Sequence, residues 1–240
     1  MNIIITGATK GIGLAIAHKF ATEGFHLAVN SRNSDDLKNM KKEFAEKYPE
    51  IEVLTKKTDM SKKSQVMSFA KFVLSKWKTV DILVNNAGVF LPGEIHKEEE
   101  GTLEAQINTN LYSAYHLTRA VLPVMLNKQD SKASKSKGHI FNMCSIASQI
   151  AYPNGGSYSI SKFALLGFSK VLREEMKDKG IRVTSILPGA TWSNSWQGVE
   201  LPESRLMQAS DIATAVWGAW QMSDAAVLEE LVIRPQLGDL

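Results

Sequence analysis

Cysteine is nearly absent from the sequence: Cys144 is the one example among 240 residues, so no disulfide can form within the chain. No stretch reaches the roughly 18 to 20 apolar residues that a membrane-spanning helix requires. The first residues lack the basic segment, long apolar core and small-residue cleavage site of an export signal. These absences predict a protein of the reducing cytoplasm with no membrane segment.

Metal-binding patterns and a strong net charge are also missing. The five histidines are dispersed without ligand spacing and no cysteine cluster accompanies them, which argues against a metal site. The formal net charge of +3 gives no electrostatic argument for a nucleic-acid partner. The most basic segment, residues 128–137, is rich in serine but has no aromatic residue for base stacking, so we interpret it as a solvated loop.

No proline-rich or glycine-rich linker divides the chain, although its length could hold one large domain or two small ones. Apolar runs of strand length alternate with segments of helical periodicity. The runs span residues 2–6, 26–30, 51–55, 80–84, 138–143, 181–187 and 230–234. Several lack a strict two-residue alternation, as in parallel strands covered by helices on both faces. The sequence therefore predicts an α/β fold with one doubly wound domain over residues 1–240.

Two segments have especially clear helical periodicity. In residues 102–127, apolar side chains recur along one stripe. In residues 157–179, apolar side chains surround most of the helix, more than one face against a sheet requires. The surplus includes Phe163, Leu166 and Phe168 and predicts a helical dimer interface. The alternative is a helix wholly buried within the monomer.

A glycine-rich turn follows the first predicted strand. It reads Thr6-Gly7-Ala8-Thr9-Lys10-Gly11-Ile12-Gly13 and leads into an apolar helical segment. Glycines allow the backbone to approach a pyrophosphate closely, and the N–H groups and dipole of a helix N-terminus attract its negative charge. The turn predicts a nucleotide site, although many strand-to-helix turns need glycine for geometry alone.

The end of the second predicted strand indicates which nucleotide binds. An acidic residue there favours NAD, and a basic one favours NADP with its 2′-phosphate. The chain has Ser31, which can hydrogen-bond a phosphate, and Arg32, which can pair with it through charge-assisted bonds. With Lys10 as a second cation, these residues predict NADPH, unless the two cations are only solvated. The aspartates at 35–36 are assigned to the first turn of a helix capped by Ser34.

Ser145, Tyr158 and Lys162 have the chemistry of a proton-donating site. Tyr158 and Lys162 are spaced to share one helix face, where the ammonium would lower the pKa of the phenol from about 10. Such a phenol can donate a proton near neutral pH. Ser145, at a strand end, can hydrogen-bond a substrate oxygen as charge develops on it. A Tyr–Lys pair alone is commonplace, so the pattern becomes specific only together with the glycine turn and with residues 85–88, Asn-Asn-Ala-Gly, after the fourth strand.

In this combination and order, the motifs resemble those of the short-chain dehydrogenase/reductase family over nearly the whole chain. The resemblance implies a single Rossmann-type domain with a seven-stranded parallel sheet flanked by helices. It implies that Tyr158 is the general acid in reduction, that Ser145 anchors the carbonyl and that Lys162 also contacts the nicotinamide ribose. It makes Asn110 the residue that holds a proton-relay water near Lys162.

The resemblance also implies a set of cofactor-binding residues besides Tyr158 and Lys162. The set consists of Gly7, Thr9, Lys10, Gly11, Ile12 and Gly13 in the glycine turn, Ser31, Arg32, Asp59, Met60, Asn85, Ala87 and Gly88 after the next strands, and Pro188, Gly189, Thr191 and Ser193 before the nicotinamide. Asp59 and Met60 are expected beside the adenine.

Two departures from the family pattern affect substrate and assembly. The segment between Gly189 and the helix expected near Asp211 is short, which predicts a small, partly aromatic pocket. Residues 231–236 lack the glycine pair that commonly ends the last strand, which favours a homodimer over a tetramer. The predicted activity is NADPH-dependent reduction of a ketone or aldehyde, either a 3-oxoacyl thioester or a small carbonyl compound, to an alcohol. The alternative is a catalytically silent nucleotide-sensing or scaffold protein of the same fold.

Overall fold

The structure is a computed structural model that describes residues 1–128, 136–192, 202 and 205–238. Its strands are β1 (Asn2–Ile5), β2 (His26–Ser31), β3 (Val53–Lys57), β4 (Ile82–Asn85), β5 (Gly138–Met143), β6 (Ile181–Pro188) and β7 (Glu230–Ile233). They form one parallel sheet of seven strands in the order β3-β2-β1-β4-β5-β6-β7. The predicted fold class is confirmed, and each predicted run overlaps one strand.

Helices cover both faces of the sheet. They are α1 (Gly11–Thr22), α2 (Ser34–Lys47), α3 (Lys63–Lys76), α4 (Thr102–Ile107), α5 (Ser113–Leu126), α6 (Gly156–Met176) and α7 (Ala209–Trp220). In β1, Ile3 and Ile5 pack into the core beneath α1, α2 and α7, whereas Ile4 packs into the core beneath α3, α5 and α6. All three are fully buried, which explains why this strand has no polar alternation.

The long helix predicted over residues 102–127 is interrupted. A π-helical turn at Asn108–Tyr112 separates α4 from α5. An apolar stripe alone could not reveal this turn, because the residue at its centre, Asn110, is bonded to a distant loop. π-Helical turns are rare in proteins, and those that occur are frequently located at functional sites.

Two smaller expectations were wrong. The third strand begins two residues later than predicted, because Ile51 belongs to a turn in which its N–H donates to the carbonyl of Tyr48 at 3.2 Å. The cap of α2 is Asn33 rather than Ser34: the Asn33 side chain accepts a hydrogen bond from the N–H of Asp35 at 2.8 Å. Ser34 is the first helical residue.

The strand order reverses between β1 and β4, which are neighbours in the sheet. In open parallel sheets, ligands bind beyond the carboxyl ends of the strands at such a switch point. Here the glycine turn after β1, residues 85–88 after β4 and Ser145 after β5 lie at that edge. None of the helices in the described part of the chain is long and apolar enough to cross a membrane.

Candidate active site

The glycine turn has the shape of an anion cradle. Gly7 and Gly11 have φ angles of 64° and 54°, which side chains rarely adopt. A Cβ on Gly13 would stand 2.5 Å from the carbonyl oxygen of Gly7, so no side chain fits there. The N-terminus of α1 has no side-chain cap and no acidic residue in its first turn. Its free N–H groups and positive dipole therefore fit the pyrophosphate of a dinucleotide.

Asn86, which the sequence analysis did not assign, fixes this cradle to β4. Its Nδ2 donates to the carbonyl oxygens of Thr6 and Gly7 at 2.9 and 3.1 Å. In return, Thr6 Oγ1 accepts from the N–H groups of Asn86 and Ala87 at 3.0 and 2.9 Å. On the other side, Asn30 Oδ1 accepts from the Gly7 N–H at 2.8 Å. In the sequence, the only indication that Asn86 fixes the glycine turn is its position next to Asn85 at the end of β4.

The side chain of Asn85 lies beneath the site. It is buried, and its Nδ2 donates to Thr118 Oγ1 at 3.0 Å and to Asn142 Oδ1 at 2.8 Å. Asn142 in turn donates to Ser169 Oγ at 2.7 Å, which joins β4 and β5 to α6. The side chain of Asn85 therefore braces the sheet. Contact between Asn85 and a cofactor stays a prediction.

The residues predicted to select the 2′-phosphate lie together at the end of β2. Thr9 Oγ1 donates to Ser31 Oγ at 3.1 Å, and Arg32 is exposed. The Lys10 ammonium lies 3.1 Å from the carboxylate of Asp36. Asp36 is thus more than a first-turn acid of α2, because it also holds the cation expected to meet a phosphate.

Asp59 and Met60 follow β3 at the same edge of the sheet, and Met60 is buried. Burial raises the pKa of Asp59, but hydrogen bonds from Ser61 and the nearby charge of Arg32 outweigh it, so this pKa lies below its ordinary value. Asp59 is therefore ionised near neutral pH. Its Oδ1 accepts from the N–H and the hydroxyl of Ser61 at 3.0 and 2.8 Å, which shapes the turn after β3.

Lys162 is the buried cation of the site. It is only 5% exposed, and its ammonium donates to the carbonyl oxygen of Met143 at 2.7 Å. The ammonium lies 5.7 Å from the centre of the Tyr158 ring, as the spacing on one helix face predicts. Burial lowers the pKa of Lys162 to about 8. Near neutral pH this lysine keeps its charge but loses it more readily than an exposed one.

The pKa of Tyr158 moves opposite to the expectation from sequence. Burial raises the pKa of the phenol, and the hydrogen bond with Ser145 opposes this shift only in part. Removal from water penalises the phenolate more than its neighbours stabilise it. Tyr158 is therefore held as a neutral phenol, the form that donates a proton.

Asn110 and Gly88 complete the cluster. Asn110 is buried, and its Nδ2 donates to Ser161 Oγ at 2.8 Å, one residue before Lys162. A side chain on Gly88 would stand 3.2 Å from Asn110 Oδ1 and 3.6 Å from Lys162 Nζ. The fold therefore brings Asn110 and Lys162 close to the same point beside one glycine.

The predicted nicotinamide segment follows β6. Thr191 is buried, and its hydroxyl donates to the carbonyl oxygen of Gly189 at 3.0 Å. Pro188 is the last residue of β6, and Ser193 lies outside the described residues. Over the ranges that the structure covers, no group of three His, Cys, Asp or Glu side chains is placed to hold a metal ion.

A doubly wound parallel sheet, a glycine cradle at its switch point and a neutral phenol beside a buried ammonium are the combination of a dinucleotide-binding oxidoreductase. A family model described as short chain dehydrogenase matches residues 1–203. The chain belongs to this family, as its motifs predicted.

Similar proteins include several reductases. The sepiapterin reductase of Chlorobaculum tepidum is 31% identical over 99% of this chain and 97% of its own length. An alcohol dehydrogenase from the archaeon Thermococcus sibiricus, solved with 5-hydroxy-NADP, is 26% identical with a TM-score of 0.88 over 100% of this chain and 98% of its own. The L-sorbose reductase of Gluconobacter frateurii, solved with NADPH and L-sorbose, is 26% identical with a TM-score of 0.86 over 98% and 95%.

Proposed function

We propose that this protein uses NADPH to reduce the carbonyl of a ketone or aldehyde to an alcohol. The observation that carries the proposal is the convergence of Ser145, Tyr158 and Lys162 beside the Gly88 turn, where the phenol is held neutral and the lysine is desolvated. The closest alternative, a silent nucleotide-sensing or scaffold protein, would have no need for this tuned pair together with Asn110.

Each catalytic side chain has a defined task in this proposal. When bound, NADPH supplies the hydride that attacks the carbonyl carbon. Tyr158 donates its proton at Oη to the carbonyl oxygen, and the Ser145 hydroxyl hydrogen-bonds the same oxygen as negative charge develops. The Lys162 ammonium then stabilises the phenolate that remains. Asn110 takes the family role of holding a relay water through which the phenolate is reprotonated.

We assign the cofactor to the edge formed by the glycine turn and the strand ends. The cradle of Gly7, Gly11 and Gly13 would hold the pyrophosphate, and Ser31 and Arg32 would meet the 2′-phosphate. The 5-hydroxy-NADP and the NADPH of the two solved relatives support this preference. Residues 188–191 and Ser193 would flank the nicotinamide. In this proposal residues 1–240 form one binding and catalytic domain located in the cytoplasm.

The substrate class is tested directly with purified protein. NADPH oxidation is followed by absorbance with a panel of ketones, aldehydes and 3-oxoacyl thioesters, and Tyr158→Phe serves as the matched inactive control. We expect turnover of at least one member by wild type and its loss in the variant. Saturable NADPH binding with no turnover across the panel would favour the silent alternative.

We also propose that the protein is a homo-oligomer, with a dimer favoured over a tetramer. The expected interface needs correction, because Leu166 is buried in the monomer and Phe168 packs against the ring of Tyr115 at 5.8 Å. Phe163 is exposed as predicted, and Ile160 and Val171 on α6 are exposed as well. An exposed apolar stripe of this kind fits a self-complementary helix pair. A monomeric mass in light scattering at micromolar concentration would contradict this assembly.

A further inference from the structure

The loop segment of residues 89–91 is held by the side-chain amides of Asn110 and Gln106. The proposed reaction does not require these contacts. Asn110 contacts both backbone groups of Val89: its Oδ1 accepts from the N–H at 2.8 Å and its Nδ2 donates to the carbonyl at 3.0 Å. Gln106 does the same for Leu91, with both distances 3.2 Å. Two amides therefore clamp the residues on either side of Phe90.

The spacing of the clamp explains how it fits. Four residues of helix rise about 6 Å, which is close to the advance of about 6.6 Å for two residues of extended chain. Gln106 and Asn110 therefore meet alternate residues of the loop, in the manner of a neighbouring strand. Gln106 is fully buried, so the loss of its amide would leave the polar groups of Leu91 without these partners.

The clamp presents Phe90 to Tyr158. The two ring centres lie 4.7 Å apart with the planes at 72°, an edge-to-face contact. Phe90 is nevertheless 42% exposed, so part of its ring is free for another molecule. A group attached to a carbonyl carbon beneath Tyr158 would lie against this free surface.

A second aromatic side chain, Tyr152, lies near the phenol. Burial and the proximity of Tyr158 raise the pKa of Tyr152 to about 12, so its hydroxyl stays protonated near the reacting oxygen. Tyr152 is 40% exposed and lines a cavity together with Ile95, Ile160 and Phe163. Tyr158 therefore has two partly exposed aromatic side chains near it, Phe90 and Tyr152.

We infer that Phe90 is a specificity-determining residue that selects carbonyl compounds with a flat, unsaturated group on the carbonyl carbon, and that Gln106 is the positioning residue that holds it there. The inference rests on the proposed reductase activity. The clamped loop and the ring contact with Tyr158 carry it.

The test compares two substrates that differ only beside the reacting carbonyl: ethyl benzoylformate, with a phenyl group, and ethyl pyruvate, with a methyl group. The readout is the ratio of their kcat/KM values with saturating NADPH. We expect wild type to prefer the phenyl ester. Phe90→Ala and Phe90→Leu should lower the ratio about 3- to 10-fold, the range expected for an aromatic pair. Phe90→Tyr should retain it.

Gln106→Leu should lower the same ratio by a smaller factor, because Asn110 still holds Val89. Gln106→Glu keeps the acceptor for the Leu91 N–H and should fall between wild type and Gln106→Leu. Met67→Ala, an exposed apolar change on α3 away from this loop, is the matched control and should leave the ratio unchanged. Because the ratio compares two substrates on one protein, a general loss of folded enzyme cancels.

The outcomes separate this inference from the function on which it rests. A wild type that is inactive across the carbonyl panel contradicts the proposed reductase. A wild type that reduces carbonyls but does not prefer the phenyl ester overturns the inference, and so does a ratio unchanged in Phe90→Ala. An equal effect of Met67→Ala would show that the ratio does not depend on the position of Phe90.

Discussion

The two ends of the candidate site hold positive charge in different ways. At the phosphate end, Lys10 is 57% exposed and forms an ion pair with Asp36. Arg32 is exposed as well. At the catalytic end, Lys162 is 5% exposed and bonded to a backbone carbonyl. Water and salt screen the first pair of cations, whereas burial changes the pKa of the third. In the proposed function, exposed cations would therefore recognise the charged ligand, and a desolvated cation would take part in the proton chemistry.

Tyr158→Phe should have the largest effect, because it removes the proton while preserving the ring that Phe90 contacts. General acid catalysis is worth about 10²- to 10⁴-fold, so kcat should fall by that factor. The dissociation constant of NADPH, measured by fluorescence titration, should change little. A variant that keeps more than about a tenth of wild-type kcat would show that another group donates the proton.

Arg32→Ala tests the phosphate end of the candidate site. Loss of a charged hydrogen bond to the 2′-phosphate should lower kcat/KM for NADPH about 10- to 100-fold and leave that for NADH nearly unchanged. Ser31→Asp should go further, because a carboxylate repels the phosphate and accepts bonds from the ribose hydroxyls of NADH. Equal or better use of NADH by wild type would mean that Arg32 is only a solvated side chain.

The buried lysine predicts a fall in activity at alkaline pH. The folded-state pKa of Lys162 is lowered to about 8, so its charge is present below that pH and is lost as the pH rises through it. Tyr158, whose pKa is raised, stays protonated over this interval. The kcat/KM for NADPH, which reports the free enzyme, should fall about tenfold per pH unit above 8.

Lys162→Arg keeps a charge that does not titrate in this range, and any remaining activity should lose the fall near pH 8. A wild-type profile that is flat to pH 10 would contradict the assignment of this lysine.

Asp36→Asn should have the smallest effect. It frees Lys10 from an ion pair that is largely in solvent, where such pairs are worth about 0.2 to 1 kcal/mol. NADPH binding should tighten by no more than about fivefold, and the gain should shrink at high salt. NADH, which lacks the 2′-phosphate, is the control ligand. An identical gain for both nucleotides would place Lys10 away from the 2′-phosphate.

The sequence predicted the features that have a local signal. The strands are apolar runs, the cradle is a glycine pattern after a strand, and Tyr158 and Lys162 share a helix face through their spacing alone. These features need no knowledge of distant contacts. Their positions at one sheet edge then follow from the parallel order of the strands.

The features that sequence reasoning missed depend on partners far along the chain. Asn86 meets Gly7 across 79 positions, and Gln106 meets Leu91 through a loop with no regular pattern. The raised pKa of Tyr158 depends on how much water the completed fold excludes, which spacing cannot report. The burial of Leu166 likewise depends on which elements pack against α6.

The bonds between Asn86 and the glycine turn also bear on how the protein is made. They join residues 79 or 80 positions apart, so this side of the turn is not braced until β4 is in place beside β1. Contacts between such distant residues form late, because a long loop must close before they contribute. A nascent chain that ends before β4 would therefore carry the glycine motif without its brace. We therefore expect full affinity for the nucleotide only after β4, the middle strand of the sheet, has been synthesised.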